Sequence, residues 1–175
     1  LTAYKIYLLL VGCQSLAFWT VFTVNLVYHA TTVGMNPLQL TLVGTALEMA
    51  VLLGELPTGL LADLYSRRLS VIIGLFLMGI GFLVEGSFPT FTMVLLATII
   101  WGVGVTFTSG ALEAWVADEV GEAQAAQAFV RGAQLNQLGA LAGTALSVTL
   151  ASVFITLPIL TGGVMLIVLA GWLLL

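Results

Sequence analysis

Long apolar stretches alternate with short polar breaks along the whole chain. A helix needs about 20 mainly apolar residues to cross the hydrocarbon core of a bilayer, and the 175-residue sequence supplies six such stretches. Glycine, proline and charged residues mark the breaks between them, with the faintest break just before Pro158. The pattern therefore predicts an all-α, polytopic membrane protein with six transmembrane helices, near residues 4–32, 38–61, 69–87, 91–114, 127–152 and 157–175.

Composition supports this interpretation and excludes other classes. The chain is 61% hydrophobic and 7% charged, whereas ordinary soluble domains have roughly 25% charged residues. With four positive side chains in all, it lacks the basic patch that nucleic-acid binding requires. The single cysteine, Cys13, cannot build a disulfide framework or a cysteine metal site. We therefore expect a protein that works in contact with membrane lipid, without a metal or a cofactor.

All four positive residues fall on one side of the predicted topology. Lys5 precedes the first span, Arg67 and Arg68 join the second to the third, and Arg131 opens the fifth. Lysine and arginine in short loops stay on the cytoplasmic side of a membrane. Both termini are therefore expected in the cytoplasm, with the protein in a cell inner membrane or plasma membrane.

Polar residues inside the predicted spans are the candidates for function, because helices that merely anchor have no need of them. Glu48 and Glu55 lie seven residues apart in the second span and therefore share one helix face. A charge at a helix centre costs about 2.5 to 3.5 kcal/mol on insertion, so these carboxyl groups should be neutral, paired or in contact with a watery cavity. Candidates for the cavity or for proton coupling are Glu48, Glu55, Glu113, Gln14, Asn25, Thr98 and Ser109.

Alternatives stay open for each of these residues. The glutamates can instead form interhelical hydrogen bonds, and the hydroxyl groups can bond back to their own helix. His29, near the outer interface, is expected to be solvated and incidental. Gly139 and Gly143 in the fifth span form a small-residue stripe, which predicts close helix packing.

The segment from Gly59 to Arg68 is the most specific feature of the chain. It reads Gly59-Leu-Leu-Ala-Asp63-Leu-Tyr-Ser66-Arg67-Arg68 and resembles the loop motif of the major facilitator superfamily, Gly-x-Leu-x-Asp-x-x-Gly-Arg-Arg. Ser66 replaces the second glycine of that motif, which should stiffen the turn. Asp63 and Arg67 are four residues apart and can pair if the helix continues, while an ordinary positive-inside loop is the alternative.

A second stretch strengthens the resemblance and narrows it. Residues 109–119, together with 55–63, look like the macrolide-efflux type of drug/proton antiporter within that superfamily. The resemblance implies that residues 1–175 are a single six-helix bundle, made of two inverted three-helix repeats, as the amino-terminal half of a twelve-helix transporter. It further implies ion-coupled efflux of a small, largely apolar compound by alternating access, with a second six-helix half as partner and no enzymatic activity.

Individual roles also follow from the resemblance. The residue matching Asp63 docks on a helix of the other half, and the one matching Arg67 pairs with the acid matching Asp118. Asp63 should then be unpaired across the interface in this chain, and only the contact between Arg67 and Asp118 should form within it. Two motifs of drug/proton antiporters are missing, since Thr98 stands where many have arginine, and the fifth span has no Gly-Pro pair.

Two other functions remain compatible with the sequence. The chain can be an uptake carrier for a sugar, peptide or lipid, because polar residues along the helices do not identify the substrate. It can also be a non-transporting six-helix half that dimerises through its small-residue faces. An intramembrane hydrolase is poorly supported, because the sequence contains no Ser/His or paired-Asp arrangement at useful spacing.

Overall fold

The computed structural model describes residues 2–174, apart from the side chains of residues 122 and 123. The first and last positions of the predicted domain, 1 and 175, therefore lie outside the described residues. Within this range the chain is helical, with short connections. The helices are α1 (Ala3–Thr31), α2 (Pro37–Leu64), α3 (Arg67–Ser87), α4 (Phe91–Thr108), α5 (Ala111–Val120), α6 (Glu122–Ala151) and α7 (Leu157–Leu174).

Polar residues at the breaks start the helices. Asn36 caps α2 by accepting a hydrogen bond from Gln39 N, and the side chain of Gln39 accepts one from Asn36 N. This reciprocal capping box is followed by Pro37, whose fixed φ suits the first helical position. The hydroxyl groups of Ser66 and Thr90 cap α3 and α4 more simply, by accepting a hydrogen bond from Leu69 N and from Met93 N. The local chemistry of the breaks thus explains where the spans begin.

The fourth span is interrupted, which the sequence pattern did not predict. Helix α4 ends at Thr108, Gly110 adopts a left-handed φ of 71°, and α5 resumes at Ala111. Glycine adopts this conformation without a steric penalty. The predicted span 91–114 is therefore two helices, and the second continues to Val120. Counted as one interrupted element, α4 and α5 bring the total to six.

Five of these elements are long and apolar enough to cross a membrane. They are α1, α2, α3, the combined stretch Phe91–Val120, and α7. Helix α6 is 30 residues long and starts at Glu122 rather than near 127, but glutamine, asparagine and arginine residues lower its hydropathy. The chain is thus a multi-pass, all-helical membrane protein.

Helix α3 lies at the centre of the packing. It packs against α4 and α7, while α1 packs against α6 and α7, and α2 packs against α4. Leu75, Met78 and Phe82 of α3 are almost completely buried. Glycines allow close crossings, and a Cβ at Gly139 or Gly143 of α6 would lie 2.5 Å from a backbone oxygen of α1. Both residues of the small-residue stripe thus lie at the crossing of α1 and α6.

Helix α2 has a largely exposed apolar face. Leu52, Leu53 and Leu56 are exposed on it, and a Cβ at Gly59 would meet no atom within 4 Å. No other described part of this chain therefore lies close to Gly59. The face is open to lipid or to another protein.

The two ends of the bundle differ in charge. At one end, Arg68 donates to the backbone oxygen of Leu173, which brings the start of α3 to the end of α7. We call this the charged end, because the segment from Gly59 to Arg68 lies there. The other end, where α1 and α3 finish near His29 and Glu85, is called the opposite end.

Candidate functional site

A cavity of 730 Å³ lies between α1, α5 and α6, towards the charged end. Its walls mix large aromatic rings with a few polar groups. The aromatic residues are Tyr7, Phe18, Trp19 and Phe129, and the polar ones are Gln14, Ser15, Thr108, Ser109, Glu113 and Asn136. Pockets of this size and mixed lining are typical of small-molecule sites.

Three of the predicted candidates meet in this cavity. Gln14 comes from α1, Ser109 from the break between α4 and α5, and Glu113 from the first turn of α5. Among the described lining residues, Glu113 is the one with a charge. The interruption at Gly110 is what carries both Ser109 and Glu113 to the cavity wall.

The remaining candidates lie elsewhere. Glu48 and Glu55 are exposed on α2, which contributes no described residue to the cavity. Thr98 is buried in the core on α4. Asn25 lies further along α1, beyond the cavity, and points its amide at a residue of α3. The structure therefore does not gather the seven candidates into one site.

The partner of Asn25 is Glu85, a functional candidate that the sequence pattern missed. Its carboxylate is fully buried, and Oε1 accepts a hydrogen bond from Asn25 Nδ2 at 2.7 Å and lies 2.7 Å from His29 Nε2. The hydroxyl of Tyr28 donates to the Glu85 backbone oxygen. We call Asn25, His29 and Glu85 the buried triad.

His29 is therefore not a solvated residue, and that expectation is wrong. The side chain is 7% exposed because α1 places it against Glu85 of α3 instead of in the membrane interface. A sequence signal for the triad existed. Glu85 is the sole acidic residue of an otherwise apolar span, and Asn25 and His29 are one helical turn apart.

A second cluster lies at the charged end. Arg67 pairs with Asp63 at 3.2 Å, and its Nη1 donates to a carboxylate oxygen of Asp118. We call Asp63, Arg67 and Asp118 the surface triad. The expectation that Arg67 pairs only with Asp118 within the chain is wrong, because the side chain of Arg67 reaches both carboxylates across the break after Leu64.

Ser66 has a specific role in this cluster. It adopts an extended backbone with φ of −168°, and its hydroxyl accepts a hydrogen bond from Leu69 N at 3.3 Å. An extended φ is open to any residue, so the turn does not require the glycine of the related motif. Serine instead supplies the N-cap of α3.

Four aromatic rings lie between the cavity and the buried triad. Phe18 lines the cavity and stacks on Phe22 with ring centroids 4.6 Å apart, while Phe82 packs against Trp101 at 5.5 Å. Phe22 and Trp101 meet edge to face at 5.8 Å. We call Phe18, Phe22, Phe82 and Trp101 the aromatic cluster. It separates the two polar sites along α1 and α3.

The chain is similar in sequence to known proteins. The profile of the Major Facilitator Superfamily matches residues 8–175. The uncharacterized MFS-type transporter YxaM of Bacillus subtilis (strain 168) is 29% identical over 135 residues, which cover 77% of this chain and 34% of that protein. The chain thus matches about a third of its curated relative. Since the family profile takes in nearly every residue, the chain belongs to the Major Facilitator Superfamily.

Proposed function

We propose that the chain is the amino-terminal six-helix half of a secondary active transporter that exports a small, largely apolar compound, driven by an ion gradient. The observation that carries this proposal is the cavity between α1, α5 and α6. Its aromatic walls suit a compound with apolar surface, and its few polar groups can orient that compound. The macrolide-efflux type of antiporter is the branch that the sequence most resembles.

The helix pairings support two inverted repeats of three helices. In two such repeats, α1 would correspond to α4, α2 to α6, and α3 to α7. Under this exchange, the contact between α1 and α6 becomes the contact between α4 and α2. The same exchange converts the packing of α3 on α4 into that of α7 on α1, and each of these pairs is in contact. Inverted repeats are common in secondary transporters, which bind substrate near the membrane midplane and alternate access by rocking.

A second six-helix half is the proposed partner of the exposed face of α2. The leucines on that face and the open space above Gly59 leave room for another bundle. The basic residues of the charged end favour a cytoplasmic location for that end. The cavity, which lies towards it, would then face the cytoplasm in this conformation.

Flux through the complete transporter, reconstituted in vesicles, tests the proposal. Transport of fluorescent apolar compounds is measured with and without an imposed ion gradient, in wild type and in Phe129→Ala. Removing this aromatic wall should raise the KM for the transported compound. The matched control is Leu138→Ala, because Leu138 is exposed on the same helix and lies outside the cavity.

Each result bears on one element of the proposal. Gradient-driven export that depends on Phe129 and not on Leu138 supports it. Accumulation in the opposite direction would favour an uptake carrier. Equal effects of the two variants would remove the cavity from the transport path, and absence of any flux would favour a non-transporting half.

A further inference from the structure

Two buried side-chain oxygens in the described part of the chain have no hydrogen-bond partner, Ser147 Oγ and one oxygen of Glu85, and Glu85 is the ionisable one. Its side chain is fully buried, and Oε2 has no hydrogen-bond partner, whereas Oε1 faces both Asn25 Nδ2 and His29 Nε2. Buried polar groups are nearly always hydrogen-bonded. An orphan carboxylate oxygen beside a titratable ring is therefore a feature that needs a reason.

The surroundings supply no other charge to compensate this carboxylate. From α1 it faces His29 and the neutral amide of Asn25, and the Tyr28 hydroxyl contacts its backbone oxygen. Helices α4 and α7, which pack on α3, contain no Asp, Glu, His, Lys, Arg, Tyr or Cys. Helices α2 and α5 also contact α3 and carry six acids, but no hydrogen bond or ion pair of the described residues joins any of them to Glu85. The charge of the site is therefore decided by Glu85 and His29 alone.

Among the protonation states of Glu85 and His29, those with one titratable proton on the pair are favourable. An imidazolium with a carboxylate, or an imidazole with a carboxylic acid, is neutral overall, and each state holds one titratable proton. Removing that proton leaves a buried, uncompensated carboxylate, and adding another leaves an uncompensated imidazolium. Because an unpaired buried charge is costly, the pair should retain one proton as long as the site is shielded from water. The two residues then titrate as a coupled unit.

Oε2 is the oxygen able to carry that proton in the acid form. This holds when the His29 ring has its hydrogen on Nε2, because Oε1 then faces two N–H donors and Oε2 has no neighbouring donor; in the other neutral tautomer, Nε2 accepts a hydrogen from Oε1 instead. The proton arrives from water as H⁺ and leaves as H⁺. It makes and breaks only an O–H or N–H bond.

We propose that Glu85 and His29 bind the proton that drives transport, at a site separate from the substrate cavity. The site lies near the opposite end, since Glu85 is two residues before the end of α3, or about 3 Å of helical rise. The cavity lies towards the charged end, beyond the aromatic cluster. Proton and compound therefore have separate entrances.

Phe18 provides the link between the two sites. It lines the cavity and also belongs to the aromatic cluster, which extends through Phe22 and Phe82 to within one helical turn of the buried triad. Separation of these rings would open a route from the triad to the cavity. Occupancy of the cavity can thus control proton release through one side chain.

The first test measures the proton itself and does not require transport. His29 is the one histidine of the sequence, so ¹⁵N NMR of the chain in liposomes reports its ring without ambiguity, and infrared difference spectra report the carboxyl group. We expect Glu85→Gln to remove a carboxyl band and to shift the midpoint of the His29 titration. Glu119→Gln, the same change at an exposed glutamate of α5, should leave the Glu85 band and the His29 response unchanged.

A wild-type measurement keeps this test decisive if Glu85→Gln does not fold. A His29 ring whose ¹⁵N signals follow the bulk pH and exchange rapidly with solvent would overturn the proposal. So would a titration that is the same in wild type and in Glu85→Gln. A ring that resists titration until the bundle opens supports it.

The second test rests on the proposed function and uses the complete transporter. Glu85→Gln should lose accumulation driven by a pH gradient but keep substrate exchange without a gradient, while Glu119→Gln, the same change at an exposed glutamate of α5 outside the cavity, keeps both. If Glu85→Gln is less stable but still accumulates substrate, Glu85 has only a structural role and the proposal is overturned. If wild type transports nothing, the proposed function fails, and the NMR result still decides the proton site.

Discussion

The two triads pair acidic with basic side chains in opposite environments. In the surface triad the Asp63 and Asp118 side chains are 66% and 65% exposed, and that of Arg67 is 31% exposed. In the buried triad the Glu85 side chain is 0% and that of His29 7% exposed. The same kind of contact is therefore made once in water and once inside the bundle.

Solvation decides what each contact can do. Exposed ion pairs gain little free energy, because water and salt screen them and both side chains must be ordered. A buried pair loses its hydration, and removing one partner leaves the other uncompensated. The surface triad can thus form and break during a conformational change, whereas the buried triad changes only when its proton or its surroundings change.

Removing one acid from each triad should give the largest contrast. Glu85→Ala leaves His29 and Asn25 buried without an acceptor, and we expect a loss of roughly 3 to 5 kcal/mol in the free energy of unfolding. Asp118→Ala should cost much less, because the Arg67 side chain keeps Asp63 as a partner. Unfolding in mixed micelles, followed by circular dichroism, measures both. Equal losses would contradict the distinction.

Adding one methyl group at each end tests the packing around the triads. A Cβ at Gly86 would lie 2.9 Å from Leu160 Cδ2, whereas Gly59 has open space. We expect Gly86→Ala to lose about 1 kcal/mol by overpacking, and Gly59→Ala to be neutral or to gain up to about 1 kcal/mol of helix propensity. The same unfolding assay compares them, and a costly Gly59→Ala would argue against an open face.

The cap beside the surface triad should have a smaller effect. Ser66→Ala removes the acceptor for Leu69 N and should cost about 1 kcal/mol, whereas Ser66→Gly should cost only a few tenths. Thermal unfolding of the two variants gives the order. If alanine is no worse than glycine, the hydroxyl does not cap α3.

Added salt should change stability least of all. It should weaken the exposed surface triad by screening and leave the buried triad unaffected. Raising the ionic strength from about 0.1 M to 1 M shortens the Debye length from about 10 to 3 Å. Unfolding midpoints of wild type and Arg67→Gln should converge with salt, while the gap between wild type and Glu85→Gln should persist. Convergence of both gaps would mean that water reaches Glu85.

The contrast also explains which parts could be predicted from the sequence. The apolar stretches and their polar breaks predict most helices, because span length is set by the bilayer. The surface triad was partly predictable, since Asp63 and Arg67 lie in one contiguous segment. The break at Gly110 was not, because a single glycine between apolar residues resembles the packing glycines of other spans.

The buried triad could not be assembled from local spacing. His29 and Glu85 are 56 residues apart, and their contact depends on how α1 and α3 both pack on α7. Glu85 is followed by Gly86, Ser87 and Pro89, so it resembles part of a turn. Likewise, Glu48 and Glu55 share a helix face as the spacing requires, but only tertiary packing decides that this face is exposed.

The break between α4 and α5 also affects how the cavity can be studied. Helix ends leave backbone N–H and C=O groups without partners in the same helix, and Ser109 and Gly110 at this break line the cavity. Part of the wall is therefore main chain, which substitution of side chains leaves chemically unchanged. An alanine scan of the cavity would undercount the groups available to a bound molecule, and amide-to-ester replacement at this break would be needed to count the rest.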